Sequence, residues 1–343
     1  MQRRFAVALL ASALMLTAVD RSVGQSLGRV GTTAAPFLKI GVGSRAMSMG
    51  EAYVTQAEDA SGMFWNPAGI ASVNGLQALF SYYSYIADIA YNYGAVSIPI
   101  GGIGTFGAFA GYMDYGTIER TTIQSPEGTG EKVSANSIVV GLSYGRALTD
   151  RFALGGNVKY VRETIWHSTA DAFAFDVGLL YKTFFKNIRI GMSISNFGSQ
   201  MKMDGRDMLV QHDLTTAYPS NLNAHLDTDR FPLPILFRVG ISSNITGDFM
   251  GIEEHDWIVA VDAVHPNDNK EYVNLGTEVR LYHKLVSLRA GYRELLLAER
   301  EGGLTLGVGF GVNIEGGRVE IDYANIAFGR FGNQSMFTVM ISY

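Results

Sequence analysis

The chain has 343 residues, a formal net charge of −5 and no cysteine. The lack of cysteine excludes disulfides, thiolate metal sites, cysteine nucleophiles and a lipid-modified N-terminal cysteine. Charged residues make up only 17% of the chain, which contains 40 glycines, 17 tyrosines and 19 phenylalanines. Soluble domains carry about 25% charged residues and about 7% glycine, so this composition favours many strands with aromatic belts. Because no basic patch is present, no nucleic-acid partner is expected.

Residues 1–24 are predicted to form a secretory signal peptide. Arg3 and Arg4 precede an apolar stretch, and this stretch is shorter than the about 20 apolar residues of a transmembrane helix. Ser22 and Gly24 place small side chains where a signal peptidase requires them, so cleavage is expected after Gly24. A buried N-terminal helix is the alternative, but nothing amphipathic follows the apolar stretch. We therefore expect an exported protein.

Residues 25–74 differ in sequence character from the rest of the chain. They are predicted to form a hatch, a segment that plugs a barrel lumen. Glycines such as Gly43 allow a segment to pack closely against a wall. Asp59 is a candidate helix cap, and Asn66-Pro67 favours a turn. The alternative is a periplasmic turn that stabilises the base of the barrel.

The segments after residue 74 alternate apolar residues with small or polar ones, which is the period-2 pattern of β-strands. The pattern is clearest in residues 188–195, 273–281, 286–293 and 304–313. Strands of about ten residues with one apolar face are typical of transmembrane barrels. A soluble β-sandwich is the alternative, but its strands are usually only about 5–6 residues long.

The predicted fold is all-β: an antiparallel up-and-down transmembrane β-barrel of about 14 strands over residues 75–343, with a small N-terminal hatch segment. The strands are predicted to begin near residues 76, 91, 104, 135, 152, 172, 187, 235, 257, 272, 285, 304, 318 and 336. Short turns are predicted at residues 101–102, 149–150, 185–186, 283–284 and 315–317. Longer loops are predicted at residues 116–134, 163–171, 197–234, 294–303 and 327–335. Short periplasmic turns and long external loops are typical of outer-membrane barrels; the connection at residues 244–256 breaks the alternation.

The C-terminal segment is predicted to close the barrel. Phe337, Val339, Ile341 and Tyr343 share one face. In lipid every backbone donor and acceptor must be paired within the protein, so the last strand must pair with the first. Phe337 and the terminal Tyr343 also resemble the signal that the outer-membrane assembly machinery reads.

Six charged residues fall on the polar face of the last strands, where they are predicted to face the lumen. They are Glu278, Arg280, Arg289, Arg293, Glu320 and Asp322. Arg or Lys facing lipid at the midplane costs about 2–4 kcal/mol, so the polar face is expected to point inward. These residues either form a ladder of ion pairs that stiffens the wall or line a surface that meets a hatch or a passing solute.

The sequence contains no convincing catalytic or cofactor motif. Gly102-Ile-Gly104-Thr-Phe-Gly107 matches the dinucleotide pattern, but that pattern has meaning only between a strand and a helix. The six histidines are scattered, and none has the spacing of a zinc helix. No serine lies in a nucleophile elbow. We expect no enzyme activity, no metal and no cofactor.

Four short motifs carry a resemblance to a known family. They are Gly43-Ser-Arg45-Ala-Met-Ser-Met49-Gly50, Asp59-Ala60, Trp65-Asn66-Pro67-Ala68-Gly69 and, late in the barrel, Leu288-Arg-Ala-Gly-Tyr292-Arg293. Together they resemble the PorV/PorQ proteins of type IX secretion, themselves relatives of the FadL-type outer-membrane transporters. The resemblance spans essentially the mature chain. It implies a hatch inside the barrel and a location in the outer membrane of a Gram-negative cell, in contact with its lipid.

The resemblance implies two alternative functions. A PorV-like or PorQ-like protein would bind or shuttle secreted proteins, together with the type IX translocon barrel and cargo that carries a conserved C-terminal domain. A FadL-like protein would transport a hydrophobic ligand through an apolar pocket behind the hatch and a gap in the wall. In the first case the loop at residues 197–234 would be the contact surface, and its alternative role is a lid over the mouth. Its apolar residues are Met201, Met203, Met208, Leu209, Leu214, Tyr218 and Leu222.

Overall fold

The computed structural model describes residues 30–212, 222–251, 254–297 and 300–343, so the predicted signal peptide lies outside the described residues. Its main element is a closed antiparallel barrel of fourteen strands, which confirms the predicted fold class. The strands are β1 (Gln77–Ser84), β2 (Ala90–Ile100), β3 (Gly104–Glu119), β4 (Lys132–Thr149), β5 (Phe152–Ile165), β6 (Ser168–Lys182), β7 (Arg189–Gly198), β8 (Leu236–Asn244), β9 (Asp256–Pro266), β10 (Tyr272–Leu281), β11 (Val286–Leu295), β12 (Leu304–Ile314), β13 (Gly317–Ala327) and β14 (Asn333–Ser342).

The helices of the described residues are short. The α-helices are α1 (Ser44–Ser48) and α2 (Gly62–Trp65). The 3₁₀-helices span Pro36–Lys39, Pro67–Ser72, Ile86–Asp88, Arg206–Met208 and Gly329–Phe331, and a π-helix spans Ile245–Met250. In the part of the chain that the structure describes, no helix has the length and apolar character needed to cross a membrane.

The barrel closes where β1 pairs with β14, from Gln77 opposite Ser342 to Ser84 opposite Ser335. The alternation along each strand separates a lumen face from an outer face. In β12, Thr305 is buried, whereas Leu306 and Phe310 are 48% and 53% exposed on the outer face. Outward apolar side chains of this kind form the band that contacts lipid.

One predicted loop is wrong. Residues 163–171 form the outer ends of β5 and β6, which are joined by a two-residue turn at Trp166 and His167. Trp166 adopts a φ of 53°, a left-handed conformation that allows this tight turn. Opposite each other on the two strands, Arg162 and Asp171 form an ion pair with Nε–Oδ1 at 2.6 Å. The strands therefore continue above the lipid band, where their outward side chains are polar. Because loops are also polar, the sequence of these strand ends resembles that of a loop.

The connection between β7 and β8 is the longest one and carries short strands of its own. Met201–Lys202 pairs with Arg230–Phe231, and Leu209–His212 pairs with Leu222–His225. Asp204–Gly205 extends the barrel sheet by pairing with the outer end of β6. We call residues 199–235 the outer loop. Leu214 and Tyr218 of this loop lie outside the described residues.

The described part of the hatch segment, residues 30–74, runs through the lumen from the long-loop end to the short-turn end. At the loop end, the Ala34 amide donates to the carbonyl of Pro232 at 2.9 Å, and the Ala35 amide donates to Glu163 Oε2 at 3.1 Å. At the turn end, the Leu76 carbonyl accepts a hydrogen bond from the amide of Tyr343 at 2.8 Å. The chain thus crosses the lumen before it enters β1.

The path of the hatch segment can be tested by cysteine labelling, because the chain contains no cysteine of its own. Val30→Cys, at a site that is 72% exposed at the loop end, is expected to react with a bulky membrane-impermeant maleimide on intact cells. Ile123→Cys, at a loop-end position that is 97% exposed, is the positive control. Gly101→Cys lies in a short turn where an added Cβ meets no atom within 4 Å, and it should react only in permeabilised cells. Protection of Val30→Cys on cells that label Ile123→Cys would contradict the path.

Candidate functional site

Arg45 of α1 joins the hatch segment to the barrel wall. Its Nη1 donates to the Tyr53 hydroxyl at 2.8 Å and to Asp59 Oδ2 at 3.2 Å, both within the hatch segment. On its other side, Nη2 and Nε donate to Glu278 of β10 at 2.9 and 3.0 Å. Arg45 therefore has one carboxylate partner on the hatch side and one on the wall side.

Glu278 is the centre of this network and has no exposed surface. Besides Arg45, it accepts from Arg280 Nη2 at 2.7 Å and from Arg289 Nε at 2.8 Å. Arg289 Nη1 continues to Asp322 Oδ1 of β13 at 2.5 Å. One carboxylate thus binds three guanidinium groups, and the network links the hatch segment to β10, β11 and β13.

The six predicted lumen charges divide into separate groups. Glu278, Arg280, Arg289 and Asp322 belong to the network of Arg45. Glu320 pairs instead with Arg318 at 2.6 Å near the turn end. Arg293 lies on the loop side of the hatch segment, where its Nη2 is 3.0 Å from Oε1 of Glu51. The alternation of the strands does not separate these groups, because it encodes neither their depth in the barrel nor the path of the hatch segment.

Asp262 was missed by the sequence analysis although it holds the hatch backbone. This fully buried residue of β9 accepts from the amides of Tyr53 and Val54 at 2.7 and 2.8 Å. The signal was present as a carboxylate on an otherwise apolar strand, Trp257-Ile-Val-Ala-Val-Asp262. A buried carboxylate requires such donors, but the sequence did not indicate which donors they were.

The Trp65-Asn66-Pro67 motif fastens the second half of the hatch segment. Trp65 Nε1 donates to the Val42 carbonyl at 2.9 Å. Asn66 Nδ2 donates to the carbonyls of Val54 and Leu179 at 2.8 and 3.0 Å, and its Oδ1 accepts from the Ala68 amide at 3.2 Å. The motif therefore connects two parts of the hatch segment with β6.

Glycines of the lumen face allow this close packing. A Cβ at Gly155 or Gly178 would overlap the turn at Pro67, and one at Gly276 or Gly291 would overlap the backbone of Met49. The sequence showed many glycines on strand faces, but only the structure identifies those that contact the hatch segment. At these four wall glycines, the hatch segment lies directly against the strand backbone.

The glycines of the hatch segment itself have related roles. Gly43 precedes α1 with a φ of +82°, and Gly50 follows it with a φ of +63°. Met49 between α1 and Gly50 has no exposed surface. A Cβ at Gly69 would overlap the Ala57 carbonyl. The motif glycines are thus required by left-handed backbone or by close approach.

The C-terminal residues lie on the outside of the closed barrel. Phe337 of β14 points outward and is 52% exposed, and Tyr343 follows the strand and is 78% exposed. Their part in assembly stays a prediction.

Two cavities lie on opposite sides of the hatch segment, and none of the described residues lines both. The turn-side cavity, about 520 Å³, is polar and is lined by the Arg45 network together with Glu58, Arg189 and Arg318. The loop-side cavity, about 370 Å³, is lined mainly by aromatic and apolar side chains, including Phe37, Tyr85 and Phe328. Among the described residues no cluster of three or more His, Asp or Glu side chains could hold a metal ion.

A closed fourteen-stranded barrel with a lipid-facing apolar band and a segment packed in its lumen defines a transmembrane β-barrel of the outer-membrane type. The model of the family described as "Type IX secretion system protein PorV" matches residues 23–223, more than half of the chain. The chain therefore belongs to the PorV family, as its motifs predicted.

Solved structures with this fold include toluene transporters. The chain is similar to TodX of Pseudomonas putida with 14% identity and a TM-score of 0.53, covering 88% of this chain and 97% of that one. It is similar to TbuX of Ralstonia pickettii with 14% identity and a TM-score of 0.52, over the same shares of both chains. At these identities the likeness concerns the fold alone. A search of curated proteins found no match.

Proposed function

We propose that this PorV-family barrel works in type IX secretion by binding or shuttling secreted proteins at the outer membrane. The observation that carries the proposal is the family match, which spans the hatch segment and the first half of the barrel. The filled lumen supports it, because Arg45, Asp262 and the wall glycines hold the hatch segment across the barrel. A barrel filled in this way is better suited to binding at its outer surface than to passing a protein through its lumen.

The outer loop offers the contact surface that this role requires. Leu209, Leu226 and Phe231 are 52%, 51% and 46% exposed on it. Met201 and Leu233 are buried, so the same loop also covers part of the mouth. The paired strands of the loop support its shape, which favours a preformed binding surface over a flexible one.

The test of this role compares proteins recovered with tagged barrels after gentle detergent extraction. Wild type is expected to recover a translocon barrel or secreted proteins that share a C-terminal domain. Leu209→Ser with Leu226→Ser should reduce cargo recovery by about tenfold or more. Each leucine is already about half-buried, so binding buries only its remaining surface, and the two contacts together are worth about 1.5–3 kcal/mol. Ile123→Ser, at an exposed site outside the outer loop, is the matched control. Equal recovery by all three proteins would contradict a role for the outer loop.

The remaining expectations belong to the same proposal. Residues 1–24 would be removed on export, with cleavage after Gly24, and the barrel would sit among outer-membrane lipids. The partners would be proteins of the secretion machinery and its cargo, with no enzyme activity of the barrel itself. N-terminal sequencing of the purified protein tests the cleavage site directly.

FadL-type transport of a hydrophobic small molecule is a second candidate, and the loop-side cavity is the observation that favours it. Its aromatic lining beside the hatch segment is the kind of pocket such transport needs. A barrel that is extracted alone and carries an apolar small molecule, in cells whose secretion is normal without it, would favour transport over secretion.

A further inference from the structure

A third, smaller pocket lies at the loop end of the barrel, where the outer loop meets the start of the hatch segment. Its volume is about 230 Å³, and none of its described lining residues lines the loop-side cavity. We call it the rim pocket. Its lining includes Gly31 of the hatch segment, Glu163 and Ala170 of the wall, and Met201, Met203 and Phe231 of the outer loop. Because Gly31 and Phe231 are exposed, the pocket is open at the loop end.

Glu163 is the one charged residue in the described lining of the rim pocket. It is partly buried near the outer end of β5. Its Oε2 accepts from the Ala35 amide at 3.1 Å, and its Oε1 accepts from the Ser137 hydroxyl at 3.4 Å. Both donors are neutral, so neither of them balances the charge of the carboxylate. Burial of a carboxylate without a counter-charge is unfavourable, so a cation that enters the pocket gains binding free energy.

The rest of the lining is suited to an aliphatic chain. Met201 is buried and Met203 is partly buried, and methionine side chains adapt their shape to what they contact. Phe231, which is about half-exposed, offers an aromatic face to methylene groups or to a cation. Lysine and arginine side chains combine an aliphatic stem with a charged end. They therefore match both the apolar wall and Glu163.

The charge of the outer loop also favours a basic partner. Residues 199–235 contain five Asp, no Glu and three Lys or Arg residues. This excess of negative charge attracts a basic surface and repels an acidic one. At the pocket itself, an acidic side chain would meet Glu163 with like charge, and a purely apolar one would leave its charge unbalanced.

We propose that the rim pocket binds a lysine or arginine side chain of the secreted cargo. The charged end of this side chain pairs with Glu163, and its stem packs against Met203 and Phe231. The inference rests on the proposed secretion role for the identity of the partner, but not for the chemistry of the pocket.

The experiment measures how tightly the full-length protein in lipid nanodiscs binds fluorescent pentapeptides that differ only in their central residue. The central residues are lysine, arginine, glutamate and norleucine, which keeps the stem of lysine without its ammonium group. The lysine and arginine peptides are expected to bind saturably and about tenfold more tightly than the norleucine peptide, as expected for a hydrogen bond to a charged group. Equal affinity for the lysine and norleucine peptides, tighter binding of the glutamate peptide, or absence of saturable binding would overturn the proposal.

A pair of conservative variants locates the site. Glu163→Gln should abolish the preference for lysine over norleucine, and its amide oxygen can still accept from the Ala35 amide, so the hatch segment should stay in place. Glu271→Gln is the matched control. It removes one negative charge at the same end of the barrel but outside the rim pocket, from a side chain that is 70% exposed. A lysine preference that survives in Glu163→Gln would overturn the assignment.

A third variant tests whether the chain fills its own pocket. Arg29 is the basic residue that precedes Val30 in the sequence. We expect wild type and Arg29→Gln to bind the lysine peptide equally. Binding by Arg29→Gln but not by wild type would show that a basic residue of this chain occupies the rim pocket, which would overturn the proposal of a partner.

Cargo recovery separates this inference from the secretion role. In the co-purification, Glu163→Gln should lower cargo recovery about fivefold relative to Glu271→Gln. Equal recovery by the two variants would overturn the assignment of cargo to the rim pocket. Cargo recovery by wild type without a peptide preference would contradict the pocket alone, whereas a peptide preference without any cargo recovery would contradict the secretion role alone.

Discussion

Glu278→Gln is expected to destabilise the barrel by about 3–5 kcal/mol, the cost of removing one partner from a buried ion pair. Glu278 is completely buried and contacts Arg45, Arg280 and Arg289. The amide keeps the shape of the carboxylate but not its charge, so the buried Arg289 and the partly buried Arg45 and Arg280 lose their shared counter-charge. The measurement is the temperature or urea concentration at which the barrel changes from its folded to its unfolded electrophoretic mobility.

Glu320→Gln is the matched control for this change. Glu320 also faces the lumen side but pairs with Arg318 alone, and its side chain is 23% exposed. Loss of a partly exposed pair costs about 0–1 kcal/mol. Equal destabilisation by the two substitutions would show that the network of Glu278 contributes no more to stability than a partly exposed ion pair does.

The same network predicts coupling between the hatch segment and the wall. Arg45→Met with Glu278→Gln should destabilise less than the sum of the single changes, because each removes the partner of the other. A cell-permeability assay with a large antibiotic tests whether either single change also opens the lumen. Additive destabilisation would contradict a direct stabilising interaction between Arg45 and Glu278.

Gly291→Ala is expected to displace the hatch segment, with a loss of about 1–3 kcal/mol or more from overpacking. The added Cβ would overlap the backbone of Met49 and Gly50, and backbone atoms cannot move aside as a flexible side chain does. Faster proteolysis within the hatch segment is the expected readout, since the barrel wall itself keeps its strand pairing.

Gly94→Ala provides the comparison for this effect. Gly94 is also a strand glycine, but an added Cβ there meets only the Leu79 carbonyl oxygen, at 3.9 Å. A change within about 0.5 kcal/mol is expected at such a site. If both alanine variants resist protease as wild type does, close packing at Gly291 does not hold the hatch segment.

The barrel strands could be predicted from the sequence because lipid imposes a strict period of two on them. The predicted starts at residues 152, 272 and 304 coincide with the starts of β5, β10 and β12. Agreement was poorer where strands leave the lipid band. The start of β6 was predicted at residue 172 instead of Ser168, since the outward Asp171 pairs with Arg162 above the membrane and carries no apolar signal.

The amino-acid sequence by itself determined the class of fold, the closure of the barrel and the motifs that place the chain in the PorV family. These properties depend on local alternation and on short contiguous motifs. Only the tertiary structure decided that Arg45 meets Glu278, that Asp262 holds the hatch backbone, and that Arg293 lines a separate cavity. Such contacts join residues far apart in the chain, and they depend on the depth and register of the hatch segment inside the lumen, which no local pattern encodes.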